Sequence, residues 1–345
     1  MSKAYLILAN GRVFEGERFG AEKDSTGELV FTTTAGAYVE TLTDPCYCGQ
    51  IIMQTFPLIG NYGWIGESDA SVCHAAGYVV RDWCDAPSNF RCSGDIDSYL
   101  KAQGVPGLCG VDTRELTQII REEGVMPAVI SSNPDVDIDA LRAFAVKDAV
   151  SRTAVTTADI YPAEGEAKYS VAVLDYGCGS SVIPTLCALG CQVRVLPRGA
   201  SAEDILAAAP DGLVITDGPG APAENTADIE TIKAVAGKVP MFAFGLGHQM
   251  LALAMGGTVS KLKFGHRGAN QPVRDNATGK ILITNQNHGW AVDADSVIGA
   301  AVSHININDS TCEGLVYDNI RAISVQFKPE KAQLEQFFAV MGGND

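Results

Sequence analysis

The segment Ala243-Phe244-Gly245-Leu246-Gly247-His248-Gln249 joins an apolar run, Pro240 to Phe244, directly to the helical stretch MLALAM. A strand that turns at once into a helix through small residues has the geometry of a nucleophile elbow. Such a turn lifts one side chain above a sheet, beside the free N–H groups of a helix start. The chemistry that suits it is acyl transfer: a nucleophile attacks a carbonyl, N–H donors hold the oxyanion and a nearby base moves the proton. Upstream, GLVITDGPG sets the turn Gly218-Pro219-Gly220 after a second apolar run, and by itself this reads as an ordinary type II-like turn. Of the ten cysteines, Cys46 and Cys48 are one residue apart and the others are scattered without a CxxC pair. That pattern reads as reduced, mostly buried thiols rather than zinc ligands or disulfides. His74, His266 and His304 make no metal-ligand pattern, so no metal is expected.

The elements that must position these residues follow a strand-then-helix rhythm from Tyr169 onward. YSVAVLDYG leads to a helix around Ser181 to Leu189, CQVRVLP to a helix around Ala202 to Ala208, GLVITDGPG to a helix over Asn225 to Val235, and VPMFAF to the elbow. Short apolar strands alternating with helices indicate βαβ units and a doubly wound, mainly parallel sheet covered on both faces, over residues 169–345. Ligands bind beyond the carboxyl ends of such strands, where the loops Asp175–Gly177, Thr216–Pro222 and Gly245–Gln249 should converge. The earlier part, residues 1–146, alternates β-like runs (Ala4 to Leu8, Glu28 to Thr32, Gln50 to Gln54, Gly77 to Val80) with Gly- and Pro-bearing turns. It then gives an amphipathic helix over Thr113 to Glu123, with Leu116, Ile119 and Ile120 on one face. This is a second, mixed α/β domain. Between the two, residues 147–168 lose apolar periodicity and read as a linker. The fold class is therefore α/β in two domains.

A chain of 345 residues is long enough for two cores, and 46% apolar against 19% charged residues gives no case for extended disorder. Acidic residues outnumber basic ones 41 to 25, a formal charge of −16 that repels a phosphate backbone or an anionic membrane surface. No run approaches the roughly 20 apolar residues that span a bilayer, and the start MSKAYLILANGRVFEGE reads as strand and turn, not as a signal peptide. A cytoplasmic protein that binds neither nucleic acid nor membrane is expected.

FGLGHQMLALAMGGT, KLKFGHRGANQPV and NQNHGWAV closely resemble the class I glutamine amidotransferase domain of the carbamoyl-phosphate synthetase small subunit. LTDPCYCGQIIMQTFPLIGNYG, PSNFR, GVPGLCGVDTRELTQIIREEG and GVMPAVI resemble the amino-terminal domain of the same subunit. The resemblance covers nearly the whole chain. It implies a protein that hydrolyses glutamine and passes ammonia to a large, ATP-using subunit, which makes carbamoyl phosphate for arginine and pyrimidine biosynthesis. The chain has no P-loop, so ATP chemistry would belong to that partner, and no cofactor is expected here.

The resemblance also places the catalytic positions. In this family the elbow residue is a cysteine, its base is a histidine in a later His-Pro-Glu segment, and the glutamate orients that histidine. Alignment on the flanking motifs puts Gly245 at the nucleophile, Lys328 at the base and Glu330 at the third position. Glycine brings no nucleophile, although a strained elbow backbone costs it nothing. Lysine, with an ordinary pKa near 10.4, is mostly protonated at neutral pH and accepts no proton. The resemblance further implies that Gly218 and Gly220, with the N–H of Leu246, form the oxyanion turn. Leu246, Gln249, Asn287, Gly289 and Trp290 would hold the glutamine, and Thr34 would offer a hydroxyl from the amino-terminal domain. Trp290 stands for a phenylalanine, and Ala243 for a glycine. Cys178 follows Asp175-Tyr176-Gly177 where the family tends to carry a cation. His248 and His288 lie inside the motifs and read as turn-stabilising rather than ionising.

Three functions follow as expectations: a small subunit with an inactive glutaminase, a paralogue that senses glutamine or a related molecule without turnover, and an enzyme with new chemistry around Lys328, Glu330 or Cys178.

Overall fold

The computed structural model describes residues 2–65 and 72–342. The chain divides into two compact units, one reaching to Ala149 and including His266–Gly268, the other Val150–Gly265 with the residues from Ala269 onward.

The first unit is a closed barrel with strand order Lys3–Leu8, Met126–Ser131, Ser25–Thr32, Gln50–Gln54, Gly77–Val79, Pro106–Cys109 and Val13–Gly20. The strands from Ser25–Thr32 to Pro106–Cys109 pair in parallel, as Val30 opposite Ile52, and the rest of the barrel pairs antiparallel, as Leu6 opposite Phe14. Helix Thr113–Glu123 starts where the Asp112 carboxylate accepts the N–H groups of Arg114 and Glu115, both at 3.0 Å, and it buries Leu116, Ile119 and Ile120. An Asx cap followed by apolar residues at i, i+3 and i+4 is enough to account for both its start and its buried face.

The second unit is built on a ten-stranded sheet among the described residues. Five of its strands are parallel neighbours, in the order Cys191–Leu196, Tyr169–Leu174, Gly212–Ile215, Met241–Phe244 and Ala322–Val325. Antiparallel strands Cys312–Tyr317, Ile281–Asp293, Thr258–Asp275 and Ala301–Asn306 extend one side. Side chains of Met241–Phe244 alternate across the sheet as the two-residue period of a strand requires. Met241 and Ala243 join Leu213, Ile215, Leu246 and Met250 in one core, while Phe242 packs against Phe337 of helix Lys331–Met341, the rings tilted at 36° with centroids 5.9 Å apart. Helices thus cover both faces, which makes this a doubly wound α/β unit.

The expected linker of 147–168 is not featureless. Val150 and Ala149 are buried, and Asp159–Tyr161 pairs antiparallel with Val193–Val195 as an edge strand. All three of its residues are exposed, so no apolar alternation marks it in the sequence. Among the described residues, no helix is long and apolar enough to cross a membrane.

Candidate active site

Strand Met241–Phe244 stops at Gly245, which has φ 56° and ψ −119°, and helix Leu246–Ala254 begins at the next residue. An L-residue is strained at such angles and glycine is not, so the sharp elbow geometry is kept at no steric cost. The Gly245 N–H donates to the Val325 carbonyl at 3.0 Å, which ties the elbow to the neighbouring strand. Gly247 lets the helix start press on the sheet: its N–H donates to the Thr216 carbonyl at 3.1 Å, and a Cβ there would lie 2.4 Å from the Ile215 carbonyl oxygen.

The three loops beyond the parallel strands meet at this point. Thr216 Oγ1 accepts the Tyr176 N–H at 2.9 Å and lies 3.2 Å from an Asp175 carboxylate oxygen, which also accepts the N–H groups of Gly177 and Gly179. Gly218 faces the Tyr176 carbonyl so closely that a Cβ would lie 2.8 Å from it, and Gly220 takes φ 89°. The turn between them is therefore glycine for two separate steric reasons.

The N–H groups of Gly218 and Leu246, the pair expected to hold an oxyanion, both donate to one oxygen of Asp217, at 2.8 Å and 2.7 Å. Asp217 lies inside GLVITDGPG, where no role was expected of it. The signal that could have found it is an acidic residue directly before the Gly-Pro-Gly turn combined with a glycine at the elbow, because the missing side chain leaves room for a carboxylate.

The other expected site residues divide. Gln249, in the first turn of the elbow helix, directs its side-chain amide nitrogen to the Trp290 carbonyl and to Gln326 Oε1, both at 2.9 Å. Asn287, Gly289 and Trp290 lie on strand Ile281–Asp293, with Asn287 buried and Gly289 and Trp290 partly exposed. Lys328 follows strand Ala322–Val325, partly exposed, and its N–H donates to the Asn285 carbonyl at 3.0 Å. Glu330 is exposed and stands at the start of helix Lys331–Met341, where its N–H donates to Gln333 Oε1 at 3.0 Å. Thr34 belongs to the first unit, just past strand Ser25–Thr32, with its hydroxyl 3.1 Å from that of Thr32. Cys178 is buried at the start of the short turn Gly179–Ser181.

The motif histidines are held in the interior. His248 is fully buried, its Nδ1 lies 2.8 Å from Ser324 Oγ, and burial, with a smaller contribution from His304, pushes its pKa down to about 3. His288 is clamped between the Trp290 carbonyl, 2.7 Å from Nδ1, and Gln286 Oε1, 3.0 Å from Nε2.

A doubly wound sheet carrying an elbow opposite a Gly-Pro-Gly turn defines a class I glutamine amidotransferase domain, and the family described as Glutamine amidotransferase class-I matches residues 172–337. Residues 6–130 match Carbamoyl-phosphate synthase small chain, CPSase domain. The chain belongs to the carbamoyl-phosphate synthase small chain family. It is 44% identical, over 95% of its length and 91% of the relative's, to the carbamoyl phosphate synthase small chain of Bacillus caldolyticus. It is 43% identical to that of Syntrophotalea carbinolica, over 95% of this chain and 93% of the relative. To the carbamoyl phosphate synthase pyrimidine-specific small chain of Bacillus subtilis (strain 168) it is 42% identical, over 95% and 91%.

Proposed function

We propose that this chain serves as a small subunit of carbamoyl-phosphate synthetase that does not hydrolyse glutamine. It docks on a large, ATP-using subunit, and the ammonia for carbamoyl phosphate comes from solution or from another source. The observation that carries this reading is the bare elbow: Gly245 keeps φ 56° and ψ −119° at a helix N-terminus but offers no atom to attack an amide. Lys328 at the base position agrees with it, since an ammonium has no lone pair with which to take a proton. Any ATP chemistry then belongs wholly to the partner, and this chain works without a cofactor.

The glutamine-sensing alternative gains less support. Two donors that would greet a ligand carbonyl are already engaged by Asp217, and the amide nitrogen of Gln249 is committed to Trp290 and Gln326. An enzyme built on Cys178 would need that thiol accessible, and it is buried.

The test is to combine the chain with its matching large subunit and to measure carbamoyl phosphate made from ammonium and from glutamine separately. Synthesis from ammonium alone is the expected result. Glutamine-dependent synthesis at a comparable rate would overturn the reading.

A further inference from the structure

The elbow glycine and the aspartate across from it compete for one volume. An ideal Cβ placed on Gly245 would lie 2.0 Å from Asp217 Cγ and 2.1 and 2.4 Å from its two oxygens. These are overlaps, not contacts, since carbon atoms at rest sit about 3.5–4.0 Å apart. The carboxylate occupies that space because residue 245 has no side chain. It is not a surface group caught by chance: Asp217 is 5% exposed. One of its oxygens takes N–H groups from two separate chain segments, Gly218 and Leu246. The residue before it is fastened on both sides, to Tyr176 and to Gly247.

We infer that Asp217 is the specificity-determining residue of this site, a built-in occupant of the anion hole that keeps ligand carbonyl and carboxylate oxygens off the Gly218 and Leu246 N–H groups. The inference deepens the non-hydrolysing reading above and rests on Gly245 marking the vacated nucleophile position. Two N–H donors aimed at one point, one of them at a helix N-terminus, form a ready anion site. In this chain the anion is covalently supplied, so a free ligand must displace it at a very high effective concentration. It follows that the paired substitutions Gly245→Cys and Lys328→His would supply a nucleophile and a base without clearing the site, because the Asp217 carboxylate would have to shift before the new side chain fits.

The experiment uses the full chain and three variants: Asp217→Ala, Gly245→Cys and the two together. The thermal midpoint of Asp217→Ala is expected to rise with acetate, against chloride at the same ionic strength, while that of the native chain stays flat. The thiol introduced by Gly245→Cys, followed by peptide mass spectrometry to separate it from the ten native cysteines, is expected to react with iodoacetamide at least tenfold more slowly than the same thiol in the double variant. Failure of Gly245→Cys to fold while the double variant folds would support the same overlap. If neither cysteine variant folds, the acetate arm on Asp217→Ala decides alone. Equal alkylation rates, or an acetate response as large in the native chain as in Asp217→Ala, would overturn the inference. Hydrolysis of glutamine by the native chain would instead remove the functional reading on which it stands.

Discussion

His248 sits three residues past the elbow glycine, and its burial turns it into a reporter of acidity rather than a base. Its folded pKa of about 3 lies below the ordinary 6.5, so between those values the unfolded chain binds a proton that the folded chain refuses. The contribution to stability is fully present above pH 6.5 and is lost as the pH falls toward 3, with a slope of at most about 1.4 kcal/mol per pH unit. His304, whose pKa burial also lowers, adds in the same direction. Urea unfolding of the native chain between pH 7.5 and 5.0 should show a falling midpoint, and His248→Gln should flatten the fall. An unchanged slope in that variant would show that the imidazole already takes up a proton in the folded state. At this scale the sequence was legible in the elbow itself, where Gly245 joins strand Met241–Phe244 directly to helix Leu246–Ala254 as the small residues there predict. It was harder to read where a role depends on an empty volume: an acidic residue before the Gly-Pro-Gly turn and a glycine at the elbow are both visible, but they stand 28 positions apart and meet only through adjacent parallel strands.

At the scale of elements, Glu330, expected from the resemblance at the third catalytic position, has a structural duty. Glu330 stands at the N-cap of helix Lys331–Met341, and the Gln333 side chain closes back on its N–H. Gln333→Ala, which removes that bond at a buried residue, should cost about 1 kcal/mol in chemical denaturation. Glu330→Gln should cost only a few tenths, because it trades a carboxylate near a helix dipole for a neutral group of the same shape. A Glu330→Gln loss larger than that of Gln333→Ala would mean that the carboxylate carries a buried charge interaction instead. Glutamate is not a favoured N-cap residue, so only Gln333, three positions on, hints at this helix start in the sequence. The βα rhythm from Tyr169 and the helix over Thr113 to Glu123 were legible too, because period, caps and Gly or Pro breaks are local. Closure of the first unit into a barrel was not, since pairings such as Met126–Ile130 with Ser25–Leu29 join strands about a hundred residues apart. The edge strand Asp159–Tyr161 was missed for the opposite reason: a strand exposed along its length leaves no alternation to find.

The whole molecule joins an intact amidotransferase frame to a site with no reactive group at its elbow, and that contrast is measurable on the free chain. A ligand at a hundred times its dissociation constant would stabilise the fold by about 2.7 kcal/mol, a shift of several degrees. With its anion hole filled from within, the chain should show a thermal midpoint that moves by less than about one degree in 10 mM glutamine, by scanning fluorimetry. A rise of several degrees would instead favour the sensing role. The overlap between Asp217 and any Cβ at residue 245 also sets an order on descent. Glycine and cysteine codons can differ by one base, so loss of the thiol by itself is readily reversed. Once the carboxylate has taken the vacated space, the reverse mutation meets a collision, and the aspartate has to change first. On the proposed non-hydrolysing reading the contact would work as a ratchet, with three atoms of one side chain standing against the return of a thiol.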